Sequence, residues 1–138
     1  MALVPTMGAL HAGHMSLVAI ARKHAPSVAV SIFVNPAQFG PREDFSKYPR
    51  PVEQDLARCE QAGVDWVFMP EPQEMYRPGL TEVVVDLPQL SSVLEGKHRP
   101  THFRGVCQAV AKLFNILQPN VAVFGQKDYQ QLRVITAM

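Results

Sequence analysis

Short apolar runs alternate along the chain with segments whose apolar positions recur at helical spacing, the pattern of an α/β protein with a parallel sheet. Residues 2–5 read as a first strand, and a loop over residues 6–12 leads into a helix over residues 13–24. Residues 28–34 (Val-Ala-Val-Ser-Ile-Phe-Val) are apolar at nearly every position, which suits a strand buried on both faces. Asn35-Pro36 ends it, because proline cannot donate to a ladder. The polar, proline-rich residues 40–51 are expected to form a surface loop. Residues 52–62 then predict a helix with Gly63 as its C-terminal signal. Residues 65–69 predict a third core strand, stopped by Pro70 and Pro72. Residues 81–87 alternate enough to predict another strand, in a small excursion or at an edge. The clearest helix covers residues 103–117, where Val106, Val110, Leu113, Phe114 and Leu117 share one face. Residues 121–124 predict the next buried strand, ending at Gly125.

This order predicts a Rossmann-like, doubly wound parallel sheet forming one nucleotide-binding domain over residues 1–138. The first strand begins almost at the first residue, and residues 132–138 stop inside a helical pattern. A piece of a longer protein, truncated at both ends, is therefore expected. In doubly wound sheets, ligands bind beyond the carboxyl ends of the strands. Three polar clusters fall at such places, after the first, second and last strands.

The first cluster is Pro5-Thr6-Met7-Gly8-Ala9-Leu10-His11-Ala12-Gly13-His14. Gly8 lets the backbone turn or approach a ligand, and Gly13 leaves room at the helix entry. A helix N-terminus offers unpaired N–H groups and partial positive charge, which favour phosphate. His11 and His14, three residues apart, can point the same way from the first helical turn and donate to phosphate oxygens as charge builds in a phosphoryl or adenylyl transfer. By itself, HxGH is equally well read as two surface histidines beside a tight turn. A zinc site lacks a third ligand, and the Walker pattern is absent.

The second cluster, Asn35-Pro36-Ala37-Gln38-Phe39, places two amides beside an aromatic ring. Neutral amides can orient a carboxylate without neutralising it, which keeps an organic acid nucleophilic; the plain alternative is an Asn-Pro turn with Gln38 solvated. In the third cluster, Gly125-Gln126-Lys127-Asp128-Tyr129-Gln130-Gln131, Lys127 is placed to reach phosphate and Asp128 to bind ribose hydroxyls or a metal-bound water. Asp128 is also a candidate helix N-cap. Thr101 is a candidate cap for the long helix, with His102 and Arg104 facing either a cleft or solvent. Asp55, on a predicted helix, is a candidate magnesium holder or a solvated charge.

A formal net charge of +1 with scattered basic residues argues against nucleic acid as the main partner. No apolar run approaches the ~20 residues needed to span a bilayer. The start of the chain carries no signal-peptide pattern, so a cytoplasmic location is expected. Cys59 and Cys107 sit on separate predicted helices without CxxC spacing and are expected to be buried free thiols.

Six stretches together resemble the pantoate–β-alanine ligase family (pantothenate synthetases), of the HxGH nucleotidyltransferase superfamily. They are Leu3 through His14 as quoted above, Val30-Ser31-Ile32-Phe33-Val34-Asn35-Pro36-Ala37-Gln38-Phe39, Tyr48-Pro49-Arg50, Leu94-Glu95-Gly96, Arg99-Pro100-Thr101-His102-Phe103-Arg104-Gly105-Val106, and Phe124-Gly125-Gln126-Lys127-Asp128-Tyr129-Gln130-Gln131. HxGH alone is weak; the ordered set, spanning nearly the whole chain, is highly specific. The resemblance implies ATP-dependent ligation through a pantoyl adenylate, with Mg2+, releasing pyrophosphate and AMP. It implies an ATP site of Met7, Gly8, Ala9, Leu10, His11, Ala12, Gly13 and His14, completed by Gly125, Gln126, Lys127 and Asp128. His14 is implied as the principal catalytic residue, assisted by His11 and Lys127. Gln38 and Gln131 match the residues that hold pantoate, Gln38 also bordering the β-alanine site, and Asp55 matches a position near the magnesium. A homodimer is implied as well.

Two departures look tolerable: Gln126 stands where many relatives have glutamate, and Ala37 where many have methionine. The family pattern continues past residue 138 with a serine-serine-arginine signature acting on ATP phosphates and a small C-terminal domain, so this piece alone is expected to be impaired. Two other readings stand beside the ligase: an HxGH adenylyltransferase acting on a phosphorylated acceptor, and a non-catalytic ligand-binding or assembly module.

Overall fold

Burial of successive residues on both faces defines the sheet. In the computed structural model, which describes residues 1–41, 43–81 and 83–138, all five residues of β2 (Val28–Ile32) are buried. So are the first three of β1 (Ala2–Thr6). The two strands pair in parallel from Ala2 opposite Val28 to Thr6 opposite Ile32. β3 (Trp66–Phe68) adds to the far side of β2 and β4 (Val121–Ala122) to the far side of β1. The resulting four-stranded parallel sheet has the order β3-β2-β1-β4. The chain winds outward from β1 to β3 and then returns to the other side of β1, which makes β1/β4 the switch point of a doubly wound sheet.

The chain comprises two compact units. The first holds the sheet with α1 (Ala12–His24) and α2 (Val52–Gln61). Its core joins Ala2 and Val4 of β1 and Val28, Val30 and Ile32 of β2 to Val18 and Ala21 of α1 and Cys59 of α2. α1 ends in Arg22, Lys23 and His24, which suit the negative end of its dipole. Arg22 also pairs with Asp65 at 2.7 Å, and Asp65 accepts the Val28 N–H at 2.8 Å, pinning the start of β2.

The second unit is helical: α3 (Pro72–Met75), α4 (Pro88–Ser91), α5 (Glu95–His98), α6 (His102–Leu117) and α7 (Tyr129–Ala137). Phe103 and Cys107 of α6 pack with Val134 of α7, and Val85 and Leu87 lie against them. Gln130 stitches α7 to the preceding turns. Its Oε1 accepts the Glu95 N–H at 3.0 Å, and its Nε2 donates to the Leu90 and Val93 carbonyls at 2.9 and 2.7 Å.

Most expected elements are present, with shorter strands. β2 stops at Ile32 rather than residue 34 because β1 runs out at Thr6, whose carbonyl takes the Phe33 N–H at 3.0 Å. β4 likewise stops two residues early, although Val123 N–H still reaches the Leu3 carbonyl at 2.9 Å. β3 loses residues 65 and 69 from its expected span. The strand expected over residues 81–87 is not there among the described residues 81 and 83–87; Glu82 lies outside them. Val85 and Leu87, two residues apart, pack on the helical core, while Val83 and Val84 are both exposed. The loop over residues 40–51 contains a 3-10 turn, Phe45–Lys47. Cys59 and Cys107 are free and buried, as expected.

Candidate active site

After β1 the chain turns through Gly8 at φ +85° and Ala9 at φ +50°. Only glycine adopts the first of these readily. A Cβ at Gly8 would also lie 3.0 Å from both Asp55 Oδ2 and a methyl of Ile32. Asp55 holds the turn in place. Only 1% exposed, it accepts the Ala9 N–H on Oδ2 at 2.8 Å and the Leu10 N–H on Oδ1 at 2.7 Å. These are charge-assisted bonds to a buried carboxylate, so the solvated-charge reading does not describe its position. Each oxygen accepts one loop N–H, which leaves a further lone pair on each.

His11 occupies the N-cap of α1 rather than its first turn. Its Nδ1 accepts the Gly13 N–H at 3.0 Å, while His14 Nδ1 accepts the His11 N–H at 3.3 Å. The rings stack obliquely, with centroids 4.1 Å apart. A backbone N–H can only donate, so both Nδ1 atoms present lone pairs and the neutral rings carry their protons on Nε2. The N–H of Gly8 is taken by Thr6 Oγ1 at 3.1 Å. Thus the amides of Gly8, Ala9, Leu10, His11 and Gly13 are all satisfied internally, and Leu10 buries its side chain in the core. These residues shape the loop, and the cap engages only the Nδ1 atom of each imidazole. α1 has no acidic residue in its first turn, and the carboxylate beside its start is Asp55, on the Ala9 and Leu10 amides.

In the second unit, Asn35 caps the 3-10 turn Pro36–Gln38 by accepting the Ala37 N–H at 3.2 Å. The expected Asn-Pro turn is therefore real, but Gln38 is half-buried rather than solvated: its Oε1 accepts from Asn35 Nδ2 at 2.9 Å. Asn35 Nδ2 also donates to the Gly105 carbonyl at 3.0 Å, and Tyr76 donates to Asn35 Oδ1 at 2.7 Å. α6 can approach this turn because Gly105 has no side chain; a Cβ there would sit 2.2 Å from the Ala37 carbonyl oxygen.

His102 is buried in α6, not turned to solvent, whereas Arg104 is exposed. His102 Nδ1 lies 3.0 Å from the Gln38 carbonyl and Nε2 lies 3.4 Å from an Arg99 guanidinium nitrogen. The carbonyl only accepts and the guanidinium only donates, so the Nδ1–H neutral form fits both neighbours. Burial, with Arg99 adding to it, holds the imidazole below its ordinary pKa. Arg99 is anchored in turn by Glu43 at 2.5 Å, and the Gly40 N–H, with Arg99, lowers the Glu43 pKa. Sequence reasoning missed Tyr76 and the Arg99–Glu43 pair; both act across 40 or more residues, leaving no local signal.

In the third cluster, Gln126, Lys127 and Asp128 are exposed and Gln131 is half-buried. Asp128 takes the N-cap position of α7 but makes no side-chain cap bond, contrary to the expected cap; its carbonyl accepts the Leu132 N–H. Gly125 belongs to the first unit, and Gln126, Lys127, Asp128 and Gln131 to the second. The structure therefore brings His11 and His14 together over a loop held by Asp55, and separately gathers Gln38 with Asn35, Tyr76 and His102.

The family model for pantoate–β-alanine ligase matches residues 1–138. The pantothenate synthetase of Chloroflexus aurantiacus is 58% identical over 135 residues, covering 98% of this chain and 48% of that protein. That of Rhizobium johnstonii is 60% identical over 137 residues, covering 99% and 45%. The crystal structure of pantothenate synthetase from Thermus thermophilus matches with a TM-score of 0.92 at 52% identity, over 99% of this chain and 49% of that one. The pantoate–β-alanine ligase of Francisella tularensis, solved in complex with β-γ ATP and β-alanine, matches with a TM-score of 0.90 at 43% identity, over 99% and 52%. The chain thus spans about half the length of the relatives it matches. With a match along its whole length and the doubly wound sheet in common, the chain belongs to the pantoate–β-alanine ligase family.

Proposed function

We propose that residues 1–138 act as the nucleotide- and pantoate-binding domain of an ATP-dependent ligase that joins pantoate to β-alanine. The observation that carries this reading is the reciprocal cap of His11 and His14, which fixes two imidazoles side by side at a helix N-terminus whose first turn holds no acidic residue. In the first step a pantoate carboxylate oxygen attacks the α-phosphorus of ATP, and pyrophosphate leaves. The amine of β-alanine then attacks the acyl carbon, loses a proton, and AMP departs. Charge grows on the phosphate oxygens during the first step, where donors already fixed in place lower the barrier most. His14, with His11 assisting, supplies them, and Lys127 adds a cation. Gln126 and Asp128 complete the nucleotide site with Gly125, while Gln38 and Gln131 hold pantoate. The ATP and β-alanine named in the Francisella complex support the ligand assignment.

Magnesium, which ATP chemistry of this kind uses, typically keeps several waters and binds through phosphates with one or two carboxylates. Asp55, the candidate for a place near the magnesium, accepts one loop N–H on each oxygen and keeps a further lone pair on each for a metal-bound water.

A homodimer extends the proposal. Leu80 and Val83, 62% and 79% exposed, are apolar surface of the kind a subunit contact covers. No helix among the described residues is long and apolar enough to cross a membrane, and we place the protein in the cytoplasm.

The test is AMP release from ATP that requires both pantoate and β-alanine. Turnover with another acid but not pantoate would sink the substrate assignment. Saturable binding of ATP and pantoate without AMP would make the chain the substrate-holding part of the reaction. The adenylyltransferase alternative is disfavoured by the neutral amides of Gln38 and Gln131 where a phosphorylated acceptor calls for cations. A larger thermal shift with phosphopantetheine than with pantoate would reverse that preference.

A further inference from the structure

The hydrogen bonds around Asn35 leave no freedom in which way its amide points. The Ala37 N–H can only donate, so the atom it meets at 3.2 Å is Oδ1. The Gly105 carbonyl can only accept, so the atom 3.0 Å from it is Nδ2. Tyr76, 2.7 Å from Oδ1, must therefore donate its hydroxyl proton. The second proton on Nδ2 points at Gln38, which must meet it with Oε1 at 2.9 Å. Gln38 is then obliged to turn its Nε2H2 away from Asn35. Asn35 is 1% exposed, and its bond to the Gly105 carbonyl is buried while the other three are partly so, which limits competition from water.

We infer that Tyr76 is a positioning residue for the acid substrate: by the shorter of the two bonds to Asn35 Oδ1 it secures the orientation that Ala37 and Gly105 define, and through Asn35 it holds the Gln38 NH2 turned away from Asn35, so the site offers a donor to a substrate oxygen. The inference rests on the proposal that Gln38 holds pantoate. It adds what makes Gln38 a donor rather than an acceptor, and it assigns a task to a tyrosine that touches no substrate. A reversed amide would present its oxygen to a carboxylate, and two acceptors repel. Loss of the Tyr76 hydroxyl leaves Asn35 Oδ1 with a single partner, the long Ala37 bond, and loosens the whole chain of donors.

Two measurements on this chain test the inference, the first without any ligand. The side-chain NH2 protons of Asn35 should exchange slowly with solvent in the free protein and at least tenfold faster in Tyr76→Phe, read by 15N-resolved exchange. Fast exchange in the unaltered chain overturns the relay. In the second, Tyr76→Phe should weaken D-pantoate binding roughly three- to tenfold by titration calorimetry, while ATP affinity and the unfolding midpoint stay close to those of the parent. On a Gln38→Ala background the same change should have almost no further effect on pantoate, because Tyr76 acts through that amide. A loss of equal size on both backgrounds, or a parallel loss for ATP, shows a merely structural tyrosine and overturns the inference. If the unaltered chain takes up no pantoate, the substrate reading fails, and the exchange measurement still decides the relay by itself.

Discussion

Asp55 carries the turn that places His11: one oxygen holds the N–H of Leu10 at 2.7 Å, and the other holds that of Ala9 at 2.8 Å. Ala9 sits at φ +50°, a conformation that non-glycine residues adopt at a cost of about 1–3 kcal/mol and keep only when their surroundings insist. Asp55→Ala orphans both N–H groups and should cost about 2–4 kcal/mol in urea unfolding. Asp55→Asn turns an NH2 toward one of them and should also destabilise. If Asp55 instead served mainly to hold a cation, removing it would leave metal-free stability untouched. Unfolding midpoints measured in EDTA decide between the two.

The alternation of apolar runs and amphipathic helices was enough to place the sheet, and the polar ends of three strands were enough to nominate the loops. What sequence reasoning lacked was distance. Asp55 is a single carboxylate on an amphipathic helix, and nothing near it announces that its partners lie 45 and 46 residues earlier. Tyr76 meets Asn35 across 41 residues in the same way. Gln130 and Gln131 are indistinguishable neighbours by type. Gln130 nevertheless bonds three backbone groups of the preceding turns, because adjacent helical positions differ by about 100° of rotation and only its direction meets them. Residues 81–87 mislead for a related reason: a period of two marks any extended chain laid on a core, with or without a ladder.

His102 gives the protein a defined pH response. Burial, then Arg99, holds its folded-state pKa below the ordinary value, while the Gln38 carbonyl first, and then Glu43 and Glu95, pull the other way. The unfolded chain therefore binds a proton at a higher pH than the folded one. Stability from this group is complete above the unfolded value of about 6.5 and is lost as pH falls through it toward the folded pKa. Urea midpoints should decline between pH 7 and pH 5.5, and His102→Asn should flatten that decline. A parent protein whose midpoint is constant over that range would contradict the assignment. The lowered carboxyl pKa of Glu43 acts only in a more acidic window, below about 4.5.

Cys107 is fully buried, and burial, with Asp86 adding to it, pushes its thiol up to about 11. Cys59 is 1% exposed and is raised for the same first reason, with Asp55 second. Only a thiolate attacks an alkylating agent. Neither cysteine should react with iodoacetamide at pH 8 in the folded protein, and both should react in urea, at midpoints that follow the loss of helical signal. Rapid labelling of one thiol under native conditions would show that its helix opens locally.

The histidine pair makes the most direct statement about chemistry. With Nδ1 of each ring accepting a backbone N–H, neutral His11 and His14 should both be Nε2–H tautomers. Ring 15N shifts at pH 8 read this without ligand, and an Nδ1–H ring at either position would refute the cap geometry. His11→Ala removes the N-cap acceptor and should cost about 1 kcal/mol of stability, in the usual range for a lost cap. His14→Ala leaves that acceptor in place but removes the donor proposed for the phosphates. If it acts where charge develops, adenylate formation from ATP and pantoate should fall at least a hundredfold while pantoate affinity changes little. Equal losses in rate and in pantoate binding would mean that His14 shapes the site and does not assist the transfer. Combining the two substitutions separates the roles further. Because the rings share one reciprocal cap, their effects on stability should be non-additive, whereas the fall in adenylate formation should follow His14 alone or nearly so.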